Sequence, residues 1–230
     1  MRTETRRICS MNQERPRRYR LLFCAIVIGA SLFDLYSKHL VFDDLGYPGG
    51  GQPLQHGMHE VFENPGDVTG RSRLYLDSFV VFQLYTNFNF GALWGMGQGF
   101  SFIFALFGIV AIIGILVWAF WFRGVESLWL TISLSLILAG TLGNLYDRMG
   151  LHGYEDGAGN TIYAVRDFLF FRFGGQEGYQ WPIFNFADTF LVVGAAMMFL
   201  HSLFLPAPEK KTEAIATATP ESTPQTSTST

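Results

Sequence analysis

From Phe100 to Phe122 the chain carries no charged side chain. Coiled as an α-helix, a run of that length extends about 34 Å at 1.5 Å per residue, enough to cross a hydrocarbon core of about 30 Å. Three further apolar runs, at residues 21–42, 128–145 and 184–205, approach the same length. In lipid every backbone polar group must be satisfied within the segment, so helices are the structures open to such runs. The expected fold class is therefore an all-α polytopic membrane protein with four transmembrane helices. A composition of 49% hydrophobic and 15% charged residues fits that class and excludes an ordinary soluble enzyme. The net charge of -3 gives no reason to expect a nucleic-acid partner.

The segments between the runs set the topology. Residues 1–20 form a basic leader with seven arginines, and by the positive-inside bias they remain cytoplasmic. The first run continues through Asp34 and Lys38 without a small-residue cleavage site, so it reads as a retained span rather than a removed signal. Four spans then return the chain to the same side, where residues 206–230, rich in Ala, Thr, Ser and Pro, form a disordered tail. The two long polar segments, 43–99 and 146–183, lie outside. Within them Leu76–Tyr85 and Tyr163–Phe173 are aromatic and partly alternating, which predicts extended strands at the membrane surface.

This topology puts the costly polar residues at one depth. Asp34 and Lys38 lie in the outer part of span one, Asn89 precedes span two, Asn144, Asp147 and Arg148 close span three, and Asp188 opens span four. An ionisable group inside a span costs about 2.5 to 3.5 kcal/mol on insertion scales, and it usually faces a functional interior. Such clustering points to one site near the outer face.

The residue types limit the chemistry of that site. The five histidines form no metal-ligand spacing, and His56-Gly-Met-His59-Glu60 reads as a loop. Cys9 and Cys24 suggest neither a metal site nor a disulfide framework, and no cofactor is expected. Ser37 and Lys38 point about 100° apart on a helix, which disfavours a Ser-Lys nucleophile, while Lys38 can pair with Asp34 one turn back. Gly95-Met-Gly97-Gln-Gly99 lacks the strand and helix context of a phosphate loop. Carboxylates remain: Asp34, Asp147, Asp167 and Asp188. Two of them held close in a low-dielectric pocket share a proton and can work as acid and base on a water and a peptide bond. Asp167, just before span four, is the partner the order of segments offers to Asp188, and Asp147 reads as half of an ion pair with Arg148.

Five short motifs, Asp34-Leu-Tyr-Ser-Lys38, Asn89-Phe-Gly91-Ala92, Gly143-Asn144-Leu-Tyr-Asp147-Arg148, Val165-Arg-Asp167-Phe168 and Phe184-Asn185-Phe-Ala187-Asp188, stand in the order and topology of lipoprotein signal peptidase (signal peptidase II), which the chain resembles over residues 21–205. The resemblance implies an aspartic endopeptidase of the bacterial inner membrane. Its substrate is a diacylglyceryl-modified prolipoprotein, cleaved on the amino side of the lipidated cysteine. It also implies a dyad of Asp167 and Asp188, with Asp34, Lys38, Asn89, Gly91, Asn144, Asp147, Arg148, Asn185 and Ala187 in support, and a small extracytoplasmic β-rich cradle. Against the family pattern the first outer segment is long, and residues 150–162 form an insertion between Asp147 and Asp167. The alternatives are a small proton-coupled transporter, with Asp34, Lys38 and Asp188 as a relay, or a non-catalytic membrane assembly factor whose polar residues serve only helix packing.

Overall fold

The computed structural model describes residues 2–47, 59–61, 70–91, 100–122, 125 and 127–204, with side chains from residue 17 in the first helix and from residue 71 in the second strand. The elements in order are α1 (Arg2–Leu45), β1 (His59–Val61), β2 (Gly70–Asp77), β3 (Val80–Asn89), α2 (Ser101–Phe120), α3 (Leu128–Arg148), β4 (Val165–Phe173), β5 (Tyr179–Gln180) and α4 (Phe186–Phe204). Each of the four helices contains a segment long and apolar enough to cross a membrane. The basic leader is itself helical from Arg2, continuous with the span. The segments 92–99 and 205–230, with the glycine-rich loop and the tail, lie outside the described residues.

An all-α label does not hold for the whole chain, because the outer segments build a five-stranded antiparallel sheet in the order β1-β2-β3-β4-β5. The physical reason lies in their side chains: aromatic and β-branched residues suit a pleated, half-buried surface better than a helix. β3 and β4 are neighbours in the sheet although α2 and α3 separate them in sequence. The helical hairpin α2–α3 thus leaves the sheet at Asn89 and returns to it at Val165. The sheet sits where α1 and α3 end and where α2 and α4 begin.

α3 is the central helix. Of its span 44% is buried inside the protein, against 11–17% for the other three. Its contact with α4 depends on small residues, which let helix backbones approach closely in a membrane. A Cβ added at Gly140 would run into the carbonyl oxygen of Ala187, and one added at Gly143 into the Asp34 carboxylate. Nearer its start, α3 buries Thr131, Ser133 and Ser135. Their hydroxyls donate to carbonyls four residues back at 2.6–2.8 Å, so these groups are satisfied within their own helix. Polarity in this span is therefore not confined to the end nearer the sheet.

Two apolar clusters bracket the polar one. Phe23, Val27, Ala119, Val125, Leu134 and Leu138 pack at the end away from the sheet. Phe42, Phe168 and Leu169 pack under the sheet with Phe88, Tyr154, Phe171, Phe184 and Phe186 against them. On α1 the buried Asp34 and Lys38 fall between these two cores.

Candidate active site

The buried charges on α1 come first, because they fix the helices that carry the rest. Asp34 and Lys38 are both fully buried, one helical turn apart, with the Lys38 Nζ 2.7 Å from Asp34 Oδ2. The same ammonium lies 3.1 Å from Asp147 Oδ2 on α3 and donates to Asn144 Oδ1 at 3.2 Å. A lone buried ammonium would carry a desolvation penalty of several kcal/mol, and this one is compensated by two carboxylates and an amide. The other oxygen of Asp34 accepts from the Ala187 backbone N–H at 2.8 Å, so the pair also holds the start of α4. Ser37 turns its hydroxyl back to the Asp34 carbonyl at 2.8 Å, apart from this cluster.

The start of α4 is a capping box. Asn185 precedes the first helical residue and Asp188 stands three residues on. The Asp188 N–H donates to Asn185 Oδ1 at 3.0 Å, and the Asn185 N–H donates to Asp188 Oδ2 at 3.2 Å. Such reciprocal bonding satisfies two orphan helix donors and fixes the aspartate rotamer. The Nδ2 of Asn185 remains free to point elsewhere. It donates to Asp167 Oδ1 on β4 at 2.6 Å and to Asn144 Oδ1 at 3.2 Å. One buried asparagine thereby touches both Asp167 and Asp188.

Each aspartate has a second amide donor. Asn144 Nδ2 donates to Asp188 Oδ1 at 2.8 Å, and Asn89 Nδ2 donates to Asp167 Oδ2 at 3.0 Å. Asn89 Oδ1 in turn accepts from the Gly91 N–H at 2.9 Å, which fixes the asparagine's orientation. Asp167 is 1% exposed. Burial, and then the charge of neighbouring Asp188, push its carboxyl well above the usual carboxylate range.

The expected Asp147–Arg148 pair is not what holds the end of α3. Asp147 is bound instead by Arg166 of β4, through Nε at 2.9 Å and Nη2 at 2.8 Å to Oδ1, and through the Arg166 backbone N–H at 3.1 Å to Oδ2. Adjacent residues on α3 point about 100° apart, so Arg148 faces away from Asp147. It donates to the Gly91 carbonyl at 2.6 Å and to Ser101 Oγ at 3.4 Å, with its guanidinium 5.1 Å from the Phe104 ring centroid. Arg148 thus ties the segment after β3 and the start of α2 to α3. Arg166 was missed at the sequence level, although strand alternation carried the signal: beside Asp167 it must face the opposite way, and a buried arginine requires an acid. The Asn185-x-x-Asp188 spacing was likewise a legible capping signature.

Asp188 lies on the wall of two cavities. One, of about 300 Å³, is lined by Phe104, Gly108, Thr141, Leu145 and Leu191, with Asn144 and Arg148 at its polar end. The other, of about 420 Å³, is lined by Phe171, Phe173, Trp181, Pro182 and Phe184, with Val192 and Val193 of α4. A carboxyl at the meeting of two apolar clefts, linked by an asparagine to a buried carboxyl whose proton is held more tightly than usual, can supply a base and an acid to one polar bond carried by a largely apolar molecule.

Residues 26–204 match the family model described as signal peptidase (SPase) II. Over 185 residues, 80% of this chain and 72% of the relative, the sequence is 33% identical to a lipoprotein signal peptidase of Rhodopirellula baltica. It is 35% identical over 125 residues to a lipoprotein signal peptidase of Geobacillus thermodenitrificans, covering 54% of this chain and 69% of that one. The fold is similar to a solved structure described as a bacterial membrane enzyme, with a TM-score of 0.55 and 22% identity over 84% of this chain and 93% of the other.

Proposed function

The chain belongs to the signal peptidase II family, peptidases that cleave the signal peptides of lipoprotein precursors, and from that premise we propose that Asp167 and Asp188 are its catalytic acid and base. The observation that carries the proposal is Asn185, which donates to Asp167 Oδ1 at 2.6 Å and closes a capping box with Asp188. The substrate is a diacylglyceryl-modified precursor whose scissile bond lies on the amino side of the lipidated cysteine. Its signal helix and acyl chains reach the site from the bilayer through the two apolar clefts that meet at Asp188.

In this reading Asp167 starts with the proton and Asp188 starts as the anion. Burial favours the neutral acid at Asp167. Asp188 sits in the first turn of α4, where the helix dipole favours negative charge, and accepts from Asn144. A water between them gives a proton to Asp188 as its oxygen bonds to the carbonyl carbon, while Asp167 protonates the carbonyl oxygen. The resulting diol collapses, Asp188 passes its proton to the departing nitrogen, and a diol hydroxyl returns a proton to Asp167. The products are a free carboxyl on the signal peptide and an amine on the lipidated cysteine, and both aspartates are restored. The active site lies at the outer face of the bacterial membrane, with both termini cytoplasmic.

The test is turnover of a purified diacylglyceryl-modified precursor by the protein in lipid nanodiscs. D167N and D188N should each lower kcat by about a thousandfold or more while inserting and folding as the parent does. Near-normal cleavage by either variant would remove that aspartate from the mechanism. A parent protein that binds the precursor without shortening it would favour the assembly-factor reading.

A further inference from the structure

The loop between α3 and β4 makes contacts that the acid-base chemistry does not use. It is a self-supporting hairpin: Glu155 bridges Thr161, the Ile162 N–H donates to the Tyr154 carbonyl at 3.0 Å, and Asp156 Oδ1 accepts the N–H groups of Ala158 and Asn160 at 2.9 Å. The hairpin presents Tyr154. Its hydroxyl donates to Asp43 Oδ1 on α1 at 2.8 Å, and its ring packs 5.8 Å from Phe42 and 4.7 Å from Tyr47, centroid to centroid. The ring also packs 5.3 Å from His152 of the same loop, and its other contacts are on the sheet. The Arg166 guanidinium lies 5.7 Å from its centroid, and the Phe88 ring lies 6.2 Å away.

Phe88 and Arg166 are not an arbitrary pair. They face each other across β3 and β4, in the short stretch beyond the irregularity between Leu84 and Asn87. Their immediate neighbours in sequence are Asn89 and Asp167, which are joined by the 3.0 Å bond of the site. Successive side chains on a strand point to opposite faces, so a ring that holds Phe88 and Arg166 on one face sets Asn89 and Asp167 on the other. A strand that slips by one residue exchanges its faces, and a bulge is where the pairing is least constrained by the ladder.

We infer that Tyr154 is a positioning residue for the reaction: its ring clamps the Phe88–Arg166 cross-strand pair and thereby holds Asn89 and Asp167 in register beside Asp188. The clamp acts through the ring, against which the Arg166 guanidinium and the Phe88 ring both lie. The inference rests on the proposed role of Asp167, and the experiment separates the two.

The experiment is single-turnover and steady-state cleavage of a diacylglyceryl-modified precursor by the full chain in nanodiscs, with D167N as a control in every series. Y154L should lower kcat about tenfold or more with KM within about twofold, and Y154F should restore kcat to within about twofold of the parent. Y154L combined with N89A should be no slower than N89A alone, since both act on the placement of Asp167. F88L removes the other half of the clamp and should give the same kcat loss, so it carries the test if Y154L does not insert. Parent-like kcat in both Y154L and F88L, a loss in Y154F equal to that in Y154L, or strictly multiplicative losses with N89A would overturn the clamp. An active D167N would instead overturn the acid-base assignment and leave the clamp's structural contacts as they are.

Discussion

At Asp167 burial and the neighbouring Asp188 shift the balance toward the neutral acid. Its carboxyl is buried, and its proton is held well above the usual range by that burial and by Asp188. An unfolded aspartate titrates near 3.9. Because the folded value is raised, the stabilising contribution of the neutral acid is complete below about pH 4 and is lost as the pH rises to the folded value, at about 1.4 kcal/mol per pH unit. D167N has no such dependence. The thermal midpoint of D167N relative to the parent should therefore climb from pH 4 upward and level off where Asp167 ionises, which scanning fluorimetry in detergent across that range can read. A constant difference would mean that the acid is not raised. With Asp167 and Asp188 in the proposed acid and base roles, kcat should fall on the alkaline side as the pair loses its shared proton, and on the acid side as the base is protonated.

At the scale of elements, the contact between α3 and α4 decides whether these carboxylates meet at all. Asn144 reaches Asp188 and Asn185 because the two helices approach closely, with the backbones nearly touching at Gly140 and Gly194 and the Asp34 carboxylate seated against Gly143. G140A places a methyl group against the Ala187 carbonyl, and G143A places one against the buried Asp34 carboxylate. Overpacking of this kind costs about 1–3 kcal/mol, so both variants should unfold at lower temperature and lose activity. G114A on α2 is the control: a Cβ there meets nothing within 4 Å, and the exchange should be neutral or mildly stabilising. If G143A were as stable and active as G114A, close approach would not be what builds the site. The α3–α4 interface shows why a span pattern leaves packing undetermined. Hydropathy marks both helices as apolar, and small residues occur on several faces of each.

For the molecule as a whole, the sheet and every charged group of the site gather at one end of the four-helix bundle. In the proposed topology, with the basic leader inside, that end faces outward. A cysteine-free parent carrying F79C at the exposed β2–β3 turn should react with a membrane-impermeant maleimide on intact cells, whereas W121C at the opposite end of α2 should react only after permeabilisation. The reverse pattern would invert the topology.

Much of this was legible in the chain because lipid is a severe solvent. An uncharged run such as Phe100–Phe122 has few alternatives to a helix across the bilayer, and a charge such as Asp34 or Asp188 near the end of such a run marks the polar layer. Aromatic alternation from Tyr163 to Phe173 was enough to expect β4. The pairings were not legible, because they depend on which faces meet after the helices pack. Asp147 precedes Arg148 in the chain but binds Arg166, since one helix turns neighbours apart and a strand brings a distant arginine to the correct face. Asn185 could be read as support for Asp188, yet its reach to Asp167 exists only once β4 lies over the start of α4. Solvation therefore let the sequence alone determine the spans and the depth of the polar residues, whereas only close packing in the tertiary structure decided which of those residues touch.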